Sequence, residues 1–384
     1  MNRFSTTIRR CLHSSVRVIA AGAVAASVSA SAFGQVVRIE DSVVTSTTLG
    51  PADISAVEAY VQAHSAGLLE TDDLAAQRRA VRQLIEPLER GGVSVSFRNS
   101  YAQALQPLLD SLIAGPGTPV AWRQVTALRL SAELATERTA RIINRSFDDS
   151  STEVRYFAIY AAGRVFAAAG RSSPAIIPQT ARTLSDELAD IVASSDDPVF
   201  ADAAVRSLRA GGSVGTGGSI EGFPAYAINK LAEGGRERAI GLELGAIDEP
   251  SELNVLLRAG GVIREANIGP GPADAAAQSA GFAGGLFALV LDRVETNVRA
   301  GNRGGFDERD PAVLLASLAE TILGFASDRM AAANRGSAIN VPAIRDQMLA
   351  GDLDEVRTEI LGLIGPGGRL TQAPYSIPAS GLSR

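Results

Sequence analysis

From Pro51 onward, apolar residues recur at steps of three and four, the spacing that puts side chains on one face of an α-helix. Ile54, Val57, Val61 and His64 make one stripe; Leu74, Val81, Leu84, Ile85 and Leu88 make the next. Tyr101, Leu105, Leu108, Leu109 and Leu112 make a third, and Val125, Leu128 and Leu134 a fourth. Thr118-Pro119, Asp197-Pro198, Glu249-Pro250 and Asp310-Pro311 set Pro after an oxygen-bearing side chain. That suits the first helical position, where Pro has no N–H to leave unbonded and a preceding Thr or Asp can cap. Gly91-Gly92, Gly115, Gly170, Gly211-Gly212, Gly234-Gly235 and Gly365 follow stripes as helix-ending glycines. The pattern predicts many helices of about 12–20 residues with short joints.

Strand signals are few. Residues 91–97 alternate briefly, and residues 33–50 (FGQVVRIEDSVVTSTTLG) read as an extended arm or linker. No series of β-branched runs separates the helices, so no parallel sheet is expected. The glycine- and serine-rich stretch AGGSVGTGGSIEG (210–222) marks a boundary. It predicts a helical half at 51–212, a linker at 213–222 and a second half at 223–364, with a disordered tail at 365–384.

The segment DDSSTEVRYFAIYAAG (148–163) predicts a helix over Thr152–Ala169 that is apolar around most of its girth. Val154, Phe157, Ala158, Ala161 and Val165 form one row, and Arg155, Ile159, Ala162 and Phe166 a second. Tyr156, Tyr160 and Arg164 form a third. Such a helix is expected to be buried on several sides, and Phe157→Asp to unfold the first half. An acidic turn, then Val-Arg, then small apolar residues at helical spacing resembles the inner helix of a HEAT repeat. Asp149, Val154, Arg155, Ala158 and Ala162 carry the resemblance, with residues 136–147 as the upstream helix. A second copy at 194–212 aligns Val199 with Val154 and Ala203 with Ala158, 45 residues on, within the period of such arrays. In that alignment Phe200 replaces Arg155, which in the family ties adjacent turns together. The resemblance spans about 118–212. The expected fold is all-α, built of antiparallel helix pairs, as a right-handed HEAT-like α-solenoid or an irregular helical bundle. Asp149, Arg155 and Asp197 are expected to hold turns and caps.

Composition then locates the chain. Residues 1–32 combine Arg3, Arg9, Arg10 and Arg17 with an uncharged run ending Ala30-Ser31-Ala32, which reads as a signal peptide cleaved near Ala32. The expected location is periplasmic or secreted, and Arg9-Arg10 leaves the Sec and twin-arginine routes both open. Loss of this segment removes four arginines and no acid, taking the net charge from −6 to about −10, so nucleic-acid binding is not expected. It also removes Cys11 and His13, leaving no cysteine and only His64, so neither disulfides nor multi-histidine metal sites are expected. Lys230 is the only lysine.

Chemical motifs resolve into structural ones. GGSVG (211–215) has the spacing of a nucleophile turn, but a helix precedes Ser213 where that chemistry needs a strand, and the one remaining histidine lies upstream. GSVGTGGS (212–219) places Gly218 where a phosphate loop needs Lys. Asp72-Asp73, Asp148-Asp149, Asp196-Asp197 and Asp248-Glu249 each precede a predicted helix and suit its positive end. Residues 275–291 are uncharged and contain Gly281-x-x-x-Gly285, which predicts close packing of a buried helix, so no membrane span is expected after cleavage. No cofactor is expected. The Tyr156, Tyr160 and Arg164 row is the candidate contact for a partner, because Tyr and Arg are enriched at interface hot spots. The expected role is non-catalytic binding of another envelope protein or a peptide. A helical enzyme with Asp or Glu in a cleft, or a small-molecule binder between the two halves, are the alternatives.

Overall fold

The computed structural model describes residues 37–70, 73–114, 121–170, 175–213, 220–268 and 274–382. The expected signal peptide and cleavage site lie outside them. The described residues form fifteen α-helices and no strand. In chain order these are α1 (Asp41–Thr45), α2 (Pro51–Glu70), α3 (Leu74–Glu89), α4 (Val95–Ala114) and α5 (Ala121–Leu134). Next come α6 (Glu137–Arg145), α7 (Thr152–Ala169), α8 (Pro178–Ser194), α9 (Pro198–Gly212) and α10 (Phe223–Gly241). The last are α11 (Pro250–Ile268), α12 (Asp274–Arg299), α13 (Pro311–Ala332), α14 (Ile344–Ala350) and α15 (Leu353–Ile364). The expected arm thus contains a short helix, and the brief alternation at 91–97 runs into the start of α4.

Side-chain caps fix many of the helix starts. Asp73, Asp197 and Asp310 accept from the backbone N–H two residues on, and Pro opens α9 and α13 directly after its cap. Ser151, not an acid, caps α7. Asp149 sits in the preceding turn, where it accepts from the Ser151 N–H at 2.8 Å.

From α5 onward the helices alternate between two layers. α5, α7, α9, α11 and α13 pack in succession in one, and α6, α8, α10 and α12 in the other. Each also packs on its chain neighbour, and α3 continues the α5 layer. This stacking of helix pairs is compatible with a helical repeat. Small residues set the spacing. A Cβ on Gly163 of α7 would lie 2.9 Å from Oγ of Ser207 on α9, and that hydroxyl donates to the Ile159 carbonyl at 2.8 Å.

The α7/α9 pairing corrects the sequence alignment by one residue. Val154 is fully buried, but Val199 is 57% exposed and Phe200 only 4%. Matching the caps Ser151 and Asp197 gives a step of 46 and pairs Val154 with Phe200 and Ala158 with Ala204, all buried. Arg155 therefore corresponds to buried Ala201, and its guanidinium lies over the Phe200 ring, 4.5 Å from the centroid. Val199-x-x-x-Ala203 and Phe200-x-x-x-Ala204 are overlapping frames in one apolar helix, and the cap at Asp197 selects the second.

Buried and half-buried arginines bind helix ends together. Arg238 of α10 is 3% exposed; it donates to the Val192 and Ser195 carbonyls at the end of α8 and pairs with Glu252 of α11 at 2.7 Å. Arg98 of α4 donates to the carbonyls of Glu133, Leu134 and Leu88, at the ends of α5 and α3. Arg329 of α13 donates to Ala266, near the end of α11. In each case a cation meets the negative end of a helix.

Two expected boundaries do not coincide with the packing. Residues Arg38–Arg384 form one compact unit. A single apolar core runs from Leu128 to Leu382, across the proposed linker, and a second spans Ile39–Leu134. α5 faces both, with Ala127, Leu130 and Leu134 in one and Leu128 and Ala132 in the other. Nor is 365–382 disordered: Leu370, Tyr375, Ile377 and Leu382 are buried. Leu370, Ile377 and Leu382 seat where α12 lacks side chains. A Cβ at Gly284 would stand 2.6 Å from Leu382 and 3.1 Å from Leu370, and one at Gly281 3.1 Å from Ile377. Isolated anchors in an aperiodic, proline-containing segment leave no stripe to read. Two helices, Ala275–Arg299 and Pro311–Ala332, are long and apolar enough to cross a membrane; 78% and 56% of their apolar windows are buried inside the molecule.

Candidate functional site

α3, α5 and α7 lie side by side and run in the same direction. Arg98 gathers the ends of α3 and α5. Gln124 in the first turn of α5 donates to Asp149, just before α7, at 3.1 Å. At the other end Glu133 of α5 accepts from Arg164 of α7 at 2.6 Å. This bond holds the Arg164 guanidinium more firmly protonated than usual.

A groove of about 710 Å³ crosses these helices. α3 contributes Arg78, Val81 and Ile85, with Glu89 at its end. Trp122, Val125 and Arg129 come from α5, and Phe157, Tyr160 and Arg164 from α7. The Phe157 and Tyr160 ring centroids stand 5.6 Å apart. The Arg123 guanidinium lies over Trp122 at 5.5 Å, so the indole is braced on one side. The arrangement offers apolar and aromatic surface flanked by guanidiniums.

The predicted row divides. Tyr160 is 52% exposed and, with Arg164, lies in the groove. Tyr156 is 41% exposed but turns toward Phe200, with centroids 6.4 Å apart. α7 is buried on several sides, as expected: most of its Val154 and Ile159 rows is buried, with Phe157 and Arg155 half-buried, and the tyrosine row is open. Phe157 is only half-buried and borders the groove, so Phe157→Asp is not expected to unfold the protein. Asp149 and Asp197 hold turn and cap, and Arg155 rests on the next helix of the layer. Sequence reading missed Trp122, Arg129 and the whole α3 wall. The chain's single tryptophan beside a helical apolar position was the available signal.

Other candidates show committed groups. On α9 and α11 Asp202 pairs with Arg206 and Arg258, and Arg209 with Glu265. A second cavity, about 630 Å³, lies at the start of α4. Its arginines are occupied, Arg90 by Glu86 and Asp41 and Arg98 by main-chain carbonyls. Ser213 ends α9 with its hydroxyl on the Arg209 carbonyl at 2.8 Å. His64 is half-buried with its ring 4.4 Å from that of Tyr60. Among the described residues no three His, Cys, Asp or Glu side chains group to hold a metal ion.

No family model matches the chain, and no curated protein matches it. Among solved structures, an engineered protein from the Northeast Structural Genomics Consortium shares 16% identity, covering 80% of this chain and 79% of its own. Its TM-score of 0.28 carries no weight for fold or function.

Proposed function

We propose that this is an exported, non-catalytic HEAT-like α-solenoid of right-handed sense that binds another envelope protein or a peptide through the α3/α5/α7 groove. The observation that carries the reading is the cluster of half-buried Trp122 with exposed Tyr160 and Arg164 in a groove built by three parallel helices. These residue types recur at interface hot spots, and a layered helical stack can vary its surface without disturbing its core. The basic, then apolar N-terminal segment supports location in the periplasm or outside the cell, after cleavage near Ala32. The test compares wild type with Tyr160→Ala and Trp122→Ala as baits in envelope extracts. Wild type is expected to retain a defined polypeptide that both variants lose while their circular dichroism is unchanged. Identical retained sets from all three proteins would overturn the reading.

A further inference from the structure

We propose that the groove's occupant is an extended acidic segment in which carboxylates alternate with aromatic or aliphatic side chains. This rests on the proposed binding role of the groove and names the class of ligand. The first observation is charge. Arg78, Arg129 and Arg164 face the groove against Glu89 and Glu133, in a chain whose net charge is −6. Glu133 is taken by Arg164. Arg78 and Arg129 are exposed, and among the described residues no acid pairs with either. Two guanidiniums of the groove thus stand without an acidic partner, and a guanidinium fork matches a carboxylate in two parallel hydrogen bonds.

The second observation is shape. Packed helices stand about 8–10 Å apart, so crossing from α3 to α7 spans about 20 Å, or roughly six residues of extended chain. Extended chain projects successive side chains to opposite sides, so every second residue can reach the floor of Val81, Val125 and Phe157. The intervening carboxylates then lie toward Arg78 and Arg129 at the surface. A helix laid in the groove would present acids and apolar groups on separate faces and meet fewer of both.

Trp122 is the only tryptophan, so its fluorescence reports occupancy of the groove directly. The probes are synthetic ten-residue peptides of alternating Asp and Phe, their Ser/Phe and Lys/Phe counterparts, and a single-stranded oligonucleotide of matched charge. The Asp/Phe peptide is expected to shift the emission and to bind at least tenfold more tightly than the others. The double variant Arg78→Glu/Arg129→Glu, with unchanged circular dichroism, is expected to lose at least tenfold for that peptide alone. Equal affinity for Ser/Phe, no loss on charge reversal, or equally tight oligonucleotide binding would each overturn the acidic class. If Tyr160→Ala still weakened that binding, the groove would remain the binding surface. No emission change with any peptide would overturn both readings.

Discussion

Gly234 shows how a single missing methyl sets a helix distance. A Cβ there would stand 2.5 Å from the Ala189 carbonyl oxygen, a backbone atom of α8 that cannot swing aside. A Cβ on Gly362 in α15 would meet nothing within 4 Å. Ala is the better helix former by about 1 kcal/mol, so only packing separates the two sites. Gly362→Ala is expected to raise the urea midpoint slightly, and Gly234→Ala to lower it clearly. Arg238 makes a second case. Replacing it with Met leaves the Glu252 carboxylate buried without its partner, which costs about 3–5 kcal/mol. Adding Glu252→Leu should recover part of that in a chemical unfolding cycle, but not the bonds to Val192 and Ser195. The sequence shows both residues without showing their roles. Gly234-Gly235 resembles a helix end, yet lies inside α10 because close neighbours favour bare backbone there.

At the scale of the element, caps and apolar stripes were legible because they are local. The bounds of α7 and the starts of α9 and α13 follow from residues within four positions. Register between helices was not, since one residue of slip changes which row faces inward, and only burial decides it. The open tyrosine row of α7 has the same origin: the sequence shows a ring of large side chains, and the neighbours decide which are covered. α13 carries a test of electrostatics. Burial, ahead of neighbouring Asp346, pushes the Glu320 carboxyl above its ordinary value, although the Arg345 N–H donates to it at 2.7 Å. The folded state then holds this proton more tightly than the unfolded chain. The stability it contributes is full below the ordinary carboxylate pKa and is lost as pH rises through the folded value. Glu320→Gln keeps an acceptor for Arg345 and removes the charge. Its stability relative to wild type is expected to be greater at pH 7 than at pH 4, measured by urea unfolding. An identical difference at both would contradict this.

For the whole molecule, an all-α fold was evident from periodicity, but the division of its core was not. The low-complexity stretch near 214 looks like a border, and the border lies instead at α5, whose two faces serve different cores. The tail was misread because four anchors in an irregular chain carry no period. Their contribution is large: Leu370, Ile377 and Leu382 are each at least nineteen-twentieths buried, and burying such a side chain stabilises by about 1.5–3 kcal/mol. A variant stopping at Ile364 is expected to melt lower and to scatter light as concentration rises, because the glycine face of α12 opens to water. Unchanged melting with a monodisperse sample would count against that packing.

The seating of Leu382 against Gly284 also bears on synthesis. A ribosome finishes α12 about 80 residues before it supplies that leucine, some 4–16 s at roughly 5–20 residues per second. During that interval the nascent chain carries an uncovered greasy face. A polypeptide in that condition calls for a holding chaperone until its closing segment arrives.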